Sequence, residues 1–331
     1  NINNIQAVVF SKYDMIMLRD KALTDPQLWK QFWFGRFLDE ALLGNLSRHA
    51  KLADIIDRGK SGQGCSIAAK NKTIEYTKRL QSYTILNIDS FARYDQLKFS
   101  KPPDEVKRLG IIDVYSGSRL LVKRGISEKG AEKGQIVARY ESETFCFTNA
   151  IHGIKLKEPE DWKYQILLGI LWSSLARYFF FMKSSNWGLW HHEIHLDDEL
   201  LQLPIVVLEK KIWTAKQVIS IVNKLRNYHP QTKDVLHQNG IPENKINSVR
   251  RKLEEELDEA VFALYDLNEE QKDLIRDCCE VTLPFFYKPF DSVAAMPAVE
   301  NDDLSWIERY VYIFCRRWNA YLGNDEEMRA E

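Results

Sequence analysis

The stretch over residues 118–188 constrains the fold most, because short strand-like segments lead directly into one long helix-like segment. Short runs rich in apolar and β-branched residues predict strands at 119–123, 136–140, 144–148 and 151–156. From 162 to 182 the apolar residues recur every three or four positions, which predicts a helix. Its acidic start at Glu160 and Asp161 suits the helix dipole. We therefore expect short strands packed against an amphipathic helix.

Further helices are predicted where a capping residue precedes an apolar repeat of helical period. They cover 26–46, 214–228 and 242–265, then a segment capped by Asn268 and a last one in which Ser305 pairs with Glu308. Residues 111–117 are predicted to form another strand, and 203–211 a strand or an extended connector. The predicted fold class is α+β, with a mixed α/β domain followed by a helical domain.

Charge is divided unevenly along the chain. Residues 1–190 contain 29 Lys and Arg against 20 Asp and Glu, whereas residues 191–331 contain 17 against 27. The positive excess falls between residues 41 and 140. This segregation indicates that one half faces a polyanion, although two differently solvated surfaces would give the same pattern.

Composition limits the class of protein. Hydrophobic residues make up 45% of the chain, so a packed core is expected and global disorder is not. The five cysteines include no CxxC pair, which favours a reduced, cytoplasmic protein. The longest apolar runs are far shorter than the about 20 residues that span a bilayer. We expect no membrane partner and expect both ends of the chain to be cuts in a longer protein.

Two short motifs resemble functional signatures without matching them. A Gly- and Lys-rich loop over 59–64 could bring backbone N–H groups to a phosphate, but it lacks the spacing of a dinucleotide-binding or Walker loop. A flexible surface turn explains it slightly better. The HHEIH run at 191–195 places its last His one position too early for a zinc-protease motif, so a surface loop is expected and no metal site.

No catalytic constellation is found either. The only Pro-Pro pair, at Pro102 and Pro103, lacks the flanking residues of an adenine-methylating motif, and no Phe-x-Gly-x-Gly loop is present. We therefore predict no catalytic and no cofactor-binding residues in this chain.

The cations and amides among the predicted strands are suited to nucleic acid. Phosphate contacts require Lys or Arg, whereas base edges are read by Arg, Asn, Gln or Lys that can reach into a groove. The predicted phosphate contacts are Lys60, Lys123, Arg124, Lys129 and Lys133, with Arg139 among the neighbouring cations. The predicted base-reading residues are Gln63, Arg93, Ser185 and Asn186.

Several segments resemble a known family. RLLVKRGIS, QIVARY, FTNAIHGIKL, the ILLGILWSSLARYFFFMKSSNWG segment and LPIVV are similar to the region that follows the catalytic domain in large N6-adenine DNA methyltransferases. These include type IIG restriction–modification enzymes and methylases of phage-defence systems. ALYDLNEEQ, within 257–275, resembles the helix that follows target recognition in those enzymes. The resemblance covers most of residues 10–280.

The resemblance implies a DNA target recognition domain whose catalytic part lies upstream, where S-adenosylmethionine would bind as the cofactor. The expected domains are a connector over 1–40, the recognition domain over 41–190, a helical spacer over 191–283, and a linker with a last helix over 284–331. Duplex DNA is the expected partner, and an upstream methylase domain or a restriction or defence subunit is a further one. The alternative is a scaffold subunit of a DNA-modification or defence complex that does not contact DNA. A stand-alone nuclease is a third possibility.

Overall fold

A computed structural model of the chain describes residues 31, 35, 37–67, 78–127, 133–184, 187, 192–206, 212–227, 243–283, 305, 308, 311 and 315. The chain divides into two compact units, residues 1–279 and residues 280–331. The first unit contains helices and small antiparallel sheets, so the predicted α+β class is confirmed.

The described helices and strands follow one another from residue 37 to residue 277. In chain order they are α1 (Phe37–Leu46), β1 (Ala50–Lys51), α2 (Leu52–Ile55), β2 (Gly62–Gln63), β3 (Ser66–Ile67), β4 (Ile85–Leu86), β5 (Phe99–Ser100), β6 (Val106–Arg108), β7 (Arg119–Lys123), β8 (Ala138–Glu141), β9 (Ile151–Ile154), α3 (Asp161–Trp172), α4 (Ser174–Lys183), β10 (Pro204–Ile205), α5 (Ile212–Arg226), α6 (Glu243–Leu264) and α7 (Glu269–Asp277).

A four-stranded antiparallel sheet forms the centre of the first unit, in the order β2-β9-β7-β8. Leu121 of β7 lies opposite Arg139 on one side and Gly153 on the other. The pairs β1–β10, β3–β6 and β4–β5 form separate two-stranded sheets. The strand predicted at 119–123 is therefore present with the predicted ends, and those predicted at 136–140 and 151–156 are present with shifted ends.

The two faces of the four-stranded sheet carry different layers. Neighbouring residues of β8 point to opposite faces: the ring of Tyr140 stacks on Tyr164 of α3 at 5.1 Å, whereas Arg139 bonds to the segment around residue 92. On the second face, a Cβ on Gly153 would lie 2.3 Å from Val114 Cγ2 and 2.8 Å from Phe147 Cζ, so only glycine fits. The hydrophobic layer that contains Val114 and Phe147 thus covers one face of the sheet, and α3 covers the other.

The helical layer continues outward from α3 to α5 and α6. A Cβ on Gly169 of α3 would lie 2.5 Å from Val218 Cγ1 and 3.4 Å from Leu257 Cδ1, so the three helices pack at very short distance. The helix of the predicted recognition domain (41–190) therefore packs directly on helices of the predicted spacer (191–283).

The single helix predicted over 162–182 is wrong, because the structure has two helices, α3 and α4, bent by 65°. Ser173 leaves the helical conformation with a ψ of 160°, and its Oγ donates to the Ile170 carbonyl at 2.7 Å. Asp258 of α6 then accepts from the Ser174 backbone N–H at 2.7 Å and from Ser174 Oγ at 2.5 Å. A serine pair that competes for backbone groups, together with a distant carboxylate, starts the second helix anew.

Three other predictions need correction. Residues Ile112–Tyr115 form a 3-10 helix where a strand was predicted, since Gly110 and Gly117 at positive φ turn the chain on either side. The segment at 144–148 makes only isolated bridges through Cys146 and Thr148. Helix α5 starts at Ile212, so Thr214 lies inside it and does not cap it.

Two predicted helix caps are confirmed. Asn268 accepts from the Gln271 N–H at 2.9 Å, and Gln271 Oε1 accepts from the Asn268 N–H at 3.1 Å. Ser305 and Glu308 form the same reciprocal pair in the second unit. The start of the helix predicted at residue 26 and the linker predicted at 284–302 lie outside the described residues.

Within the described part of the chain, no single helix has the length and apolar character needed to cross a membrane. Only α3 and α4 taken together pass that test, despite the 65° bend between them.

Candidate nucleic-acid interface

The C-terminal end of β7 carries the first group of predicted DNA contacts. Lys123 ends the strand, and Arg124 follows with its Nη2 2.6 Å from Glu193 Oε2. The Arg124 carbonyl accepts from the Ile194 N–H at 2.8 Å, so the 193–194 segment is fastened to the strand end. Both side chains of the Arg124–Glu193 pair are about one-third exposed, and an ion pair of this kind is weak enough for a phosphate to displace the carboxylate.

His152 fixes the same strand end from the inside. It is buried, and its Nε2 lies 3.0 Å from the Ile194 carbonyl. Burial, opposed by the carbonyl contact and aided by the Arg124 charge, lowers the pKa of His152 to about 4. His152 is therefore a neutral structural residue at physiological pH.

The loop that contains the HHEIH run packs near this end. His191 lies outside the described residues, and His195 Nε2 is 4.0 Å from Glu193 Oε2. In the described ranges, no three His, Cys, Asp or Glu side chains are grouped closely enough to hold a metal ion.

Lys60 precedes β2 at the other end of the sheet, where the Lys155 N–H, just after β9, donates to Ser61 Oγ at 2.9 Å. Strand β7 runs about 13 Å between the two ends at the usual rise per residue. Lys60 Nζ is 3.1 Å from Asp57 Oδ2, and this contact lowers the pKa of Asp57. Lys155 is a neighbour: burial lowers its pKa, and the charges of Arg119 and Lys60 add to the effect. Of the predicted phosphate contacts, Lys60 therefore lies at one end of the sheet, and Lys123 and Arg124 lie at the other.

Gln63 lies on the edge strand β2, opposite His152 of β9. Its Oε1 accepts a hydrogen bond of 3.0 Å from Arg108 Nη2, and this contact is exposed to solvent. Arg108 ends β6 and was not among the predicted base-reading residues. The signal that could have identified it is its place in the KRLG segment, directly before a glycine turn in the positively charged half.

Two other predicted residues hold the fold together. Arg93 is buried, and its Nε donates to the Ile136 carbonyl at 2.8 Å. Arg139 donates to the carbonyls of Ala92 at 3.0 Å and Asp95 at 2.7 Å, and also pairs with Glu141 at 2.8 Å. These guanidinium groups fasten the 92–95 and 136–141 segments to each other, so neither is presented to a duplex.

The remaining predicted contacts are placed only in part. Lys133 is half-buried in the turn where the Gly134 N–H bonds to the Ser127 carbonyl. Lys129, Ser185 and Asn186 lie outside the described residues.

A separate cleft of about 560 Å³ lies between the end of α1, the end of α4 and the 198–204 segment. Its walls carry both signs of charge, from Lys51, Lys183, Asp198 and Glu199. Lys51 Nζ already donates to Gln202 Oε1 at 2.7 Å, and Glu199 accepts from Ser184 Oγ and the His195 N–H, each at 2.7 Å. These groups hold the walls of the cleft together.

Neither a protein-family model nor a curated protein matches this chain.

Proposed function

We propose that this chain binds duplex DNA in a sequence-specific manner, as the specificity part of an adenine-N6 DNA methyltransferase of the restriction–modification or phage-defence type. The observation that carries the proposal is the location of the positive charge. The excess of Lys and Arg falls on residues 41–140, which contribute β2 and β7 to the sheet whose two ends carry Lys60 and Lys123. Phosphate contacts supply most of the affinity of such proteins.

The resemblance described above supports the same proposal and extends it to the parent protein. In that proposal the chain is not catalytic by itself, and S-adenosylmethionine binds in an upstream domain. The parent is a cytoplasmic enzyme, and this chain selects the DNA target for it.

The structure refines which residues we assign to the interface. Lys60, Lys123 and Arg124, with Lys129 and Lys133, remain the proposed phosphate contacts, and Gln63, Ser185 and Asn186 the proposed base contacts. Arg93 and Arg139 are reassigned to the scaffold because their guanidinium groups bond to backbone carbonyls.

The test is binding of the 331-residue chain to random-sequence duplex DNA at several salt concentrations. The logarithm of the affinity should fall linearly with the logarithm of the salt concentration, with a slope that corresponds to several phosphates. K60A and K123A should each reduce that slope by about 1. The matched control is K224A, an exposed lysine near the end of α5 in the acidic half, which should leave the slope unchanged.

Two results would contradict the proposal. One is the absence of any complex at low salt. The other is an equal loss in K224A and K123A, which would mean that general charge and not the sheet attracts the DNA.

An exposed apolar residue in the helical half favours a second candidate, the scaffold subunit. Trp213 of α5 is 73% exposed, and exposed tryptophans are enriched at protein interfaces. In this case the helical half would dock a methylase or restriction subunit and no DNA would be bound. Co-elution with such a subunit in size-exclusion chromatography, lost in W213A, together with no DNA complex at low salt, would favour this candidate.

A further inference from the structure

We propose that Gln63 and Arg108 act as one base-reading unit that recognises an adenine next to a guanine, with Gln63 on the adenine and Arg108 on the guanine. The inference rests on the proposed DNA-binding function and assigns part of the target. Arg108 was not among the residues that the sequence predicted to contact DNA. Its hydrogen bond to Gln63 is the observation that indicates a role for it.

The chemistry of the two side chains fits two different purines. Arg donates two parallel hydrogen bonds to O6 and N7 of guanine, and Gln pairs in a bidentate manner with N6 and N7 of adenine. A guanidinium has five N–H donors, of which one serves the 3.0 Å bond to Gln63 Oε1. That oxygen retains a second lone pair for the adenine amino group, and the Gln63 amide can donate to N7. The mutual bond therefore orients both side chains without using up their capacity to bond to bases.

The short contact also sets the spacing. Consecutive bases on one strand are 3.4 Å apart along the helix axis. Two side chains joined by a 3.0 Å hydrogen bond reach neighbouring base pairs and not distant ones. The predicted target element is therefore a two-base-pair step.

The backbone below Gln63 is held on both sides, which a base-reading residue requires. The Gly64 N–H donates to the Ile151 carbonyl at 3.3 Å, and the Gln63 carbonyl lies 3.4 Å from the Ile111 N. A Cβ on Gly64 would lie 2.1 Å from the Phe147 carbonyl oxygen. Gly110, at φ +73°, packs directly on the Gln63 carbonyl, where a Cβ would lie at 2.5 Å. Sites built on fixed backbone of this kind place their side chains more accurately than sites on free loops.

The charge of Arg108 is not compensated by its partner. Among the described residues it bonds to a neutral amide, whereas Arg124 and Arg139 each pair with a glutamate at 2.6 and 2.8 Å. An exposed guanidinium with a neutral partner loses no ion pair when it binds guanine. Of these three arginines, Arg108 is therefore best suited to read a base.

The experiment selects bound sequences from a random duplex library with the full chain and with Q63E, R108A and K107A. Wild type should enrich a motif that contains the adenine–guanine step. R108A should lose discrimination at the guanine by about tenfold to a hundredfold, with other positions retained. Q63E should change the preference at the adjacent position from adenine to cytosine, because a carboxylate accepts from the cytosine N4 amino group. K107A is the matched control: Lys107 is an exposed cation of the same strand, and the bond to Gln63 comes from Arg108, so this substitution should leave the motif unchanged.

The outcomes separate this inference from the proposed function. An unchanged motif in Q63E and R108A, or a uniform loss of affinity in R108A that marks a phosphate contact, overturns the base-reading unit alone. Bound duplex without any enriched motif also overturns it. No bound duplex for wild type overturns the DNA-binding proposal and this inference together. Thermal unfolding of each variant identifies a loss that comes from misfolding, and R108K, which keeps the charge without the planar fork, then serves as the second test of guanine discrimination.

Discussion

Two arginines in the two halves of the chain lie in opposite electrostatic settings. Arg108, at the edge of the positive half, bonds to the neutral amide of Gln63. Arg276, in α7 of the acidic half, bonds to Glu259 and, at 2.9 Å, to Asp273. Lys272 joins the same corner through Glu269 and Glu259. In the helical corner the charges neutralise one another, whereas at the sheet edge the cation bonds to a neutral side chain.

The difference shows that net charge alone does not locate an interface. A helix brings residues three and four apart together, so mixed charges along α6 and α7 pair locally. Along a strand only alternate residues share a face, as the paired Arg139 and Glu141 of β8 do. Arg108, at the end of β6, bonds to an amide instead.

The largest expected effect is at the backbone of the sheet edge. G64A places a Cβ 2.1 Å from the Phe147 carbonyl oxygen, so the chain that follows β2 and the 147–148 segment must move apart. We expect a loss of about 3 kcal/mol in the free energy of unfolding, together with loss of DNA discrimination. Chemical denaturation and duplex binding measure the two effects.

The matched control is G44A in helix α1, where a Cβ would meet nothing within 4 Å. There the exchange should stabilise the protein by about 0.5–1 kcal/mol and leave DNA binding unchanged. Equal effects of the two substitutions would contradict a rigid sheet edge.

A smaller effect is expected where the helical half joins the sheet half. D258A removes the acceptor for the N–H and the hydroxyl of Ser174, at the start of α4. We expect a loss of about 1–3 kcal/mol in the free energy of unfolding, because these groups are left without that partner at the helix break. D258N retains one acceptor oxygen and should lose less. A D258A protein as stable as wild type would mean that the two serines alone separate α3 from α4.

The same carboxyl group predicts a pH dependence. Burial raises the pKa of Asp258 to about 6 from its ordinary 3.8, and the Ser174 hydrogen bonds oppose the shift. Because the folded state binds this proton more tightly, the stabilisation is complete below about pH 4 and is lost as the pH rises through 6. Relative to D258N, wild type should therefore lose on the order of 2 kcal/mol between pH 4 and 7. Melting of both proteins across this range measures the difference, and a constant difference would contradict the raised pKa.

The smallest effect is expected at the helical corner. E259Q removes one carboxylate from Arg276 and Lys272, but exposed ion pairs contribute little and each cation keeps another acid. We expect less than about 1 kcal/mol in the free energy of unfolding and no change in DNA binding. A large loss in the free energy of unfolding of E259Q, or a change in its selected DNA motif, would contradict the view that the charges of the helical corner, unlike that of Arg108, take no part in DNA binding.

Local patterns in the sequence predicted much of the fold. The α+β class, the central strand β7 and the cap formed by Asn268 and Gln271 follow from residues close together in the chain. The bend between α3 and α4 was missed, because its acceptor, Asp258, lies 84 residues from Ser174. Periodicity continues across the break, since both helices bury apolar residues, and so it could not mark the end of the first helix.

The candidate site was predicted less completely than the fold. The sequence by itself determined which half of the chain carries the positive charge and which residue types in it can bond to phosphates and bases. Only the tertiary structure decided that Arg93 and Arg139 bond to backbone carbonyls, that Lys60 and Lys123 lie at opposite ends of one sheet, and that Arg108 meets Gln63 across 45 residues. The physical reason is that charge and hydrogen-bonding capacity belong to a residue, whereas its partner depends on which distant strand folds beside it.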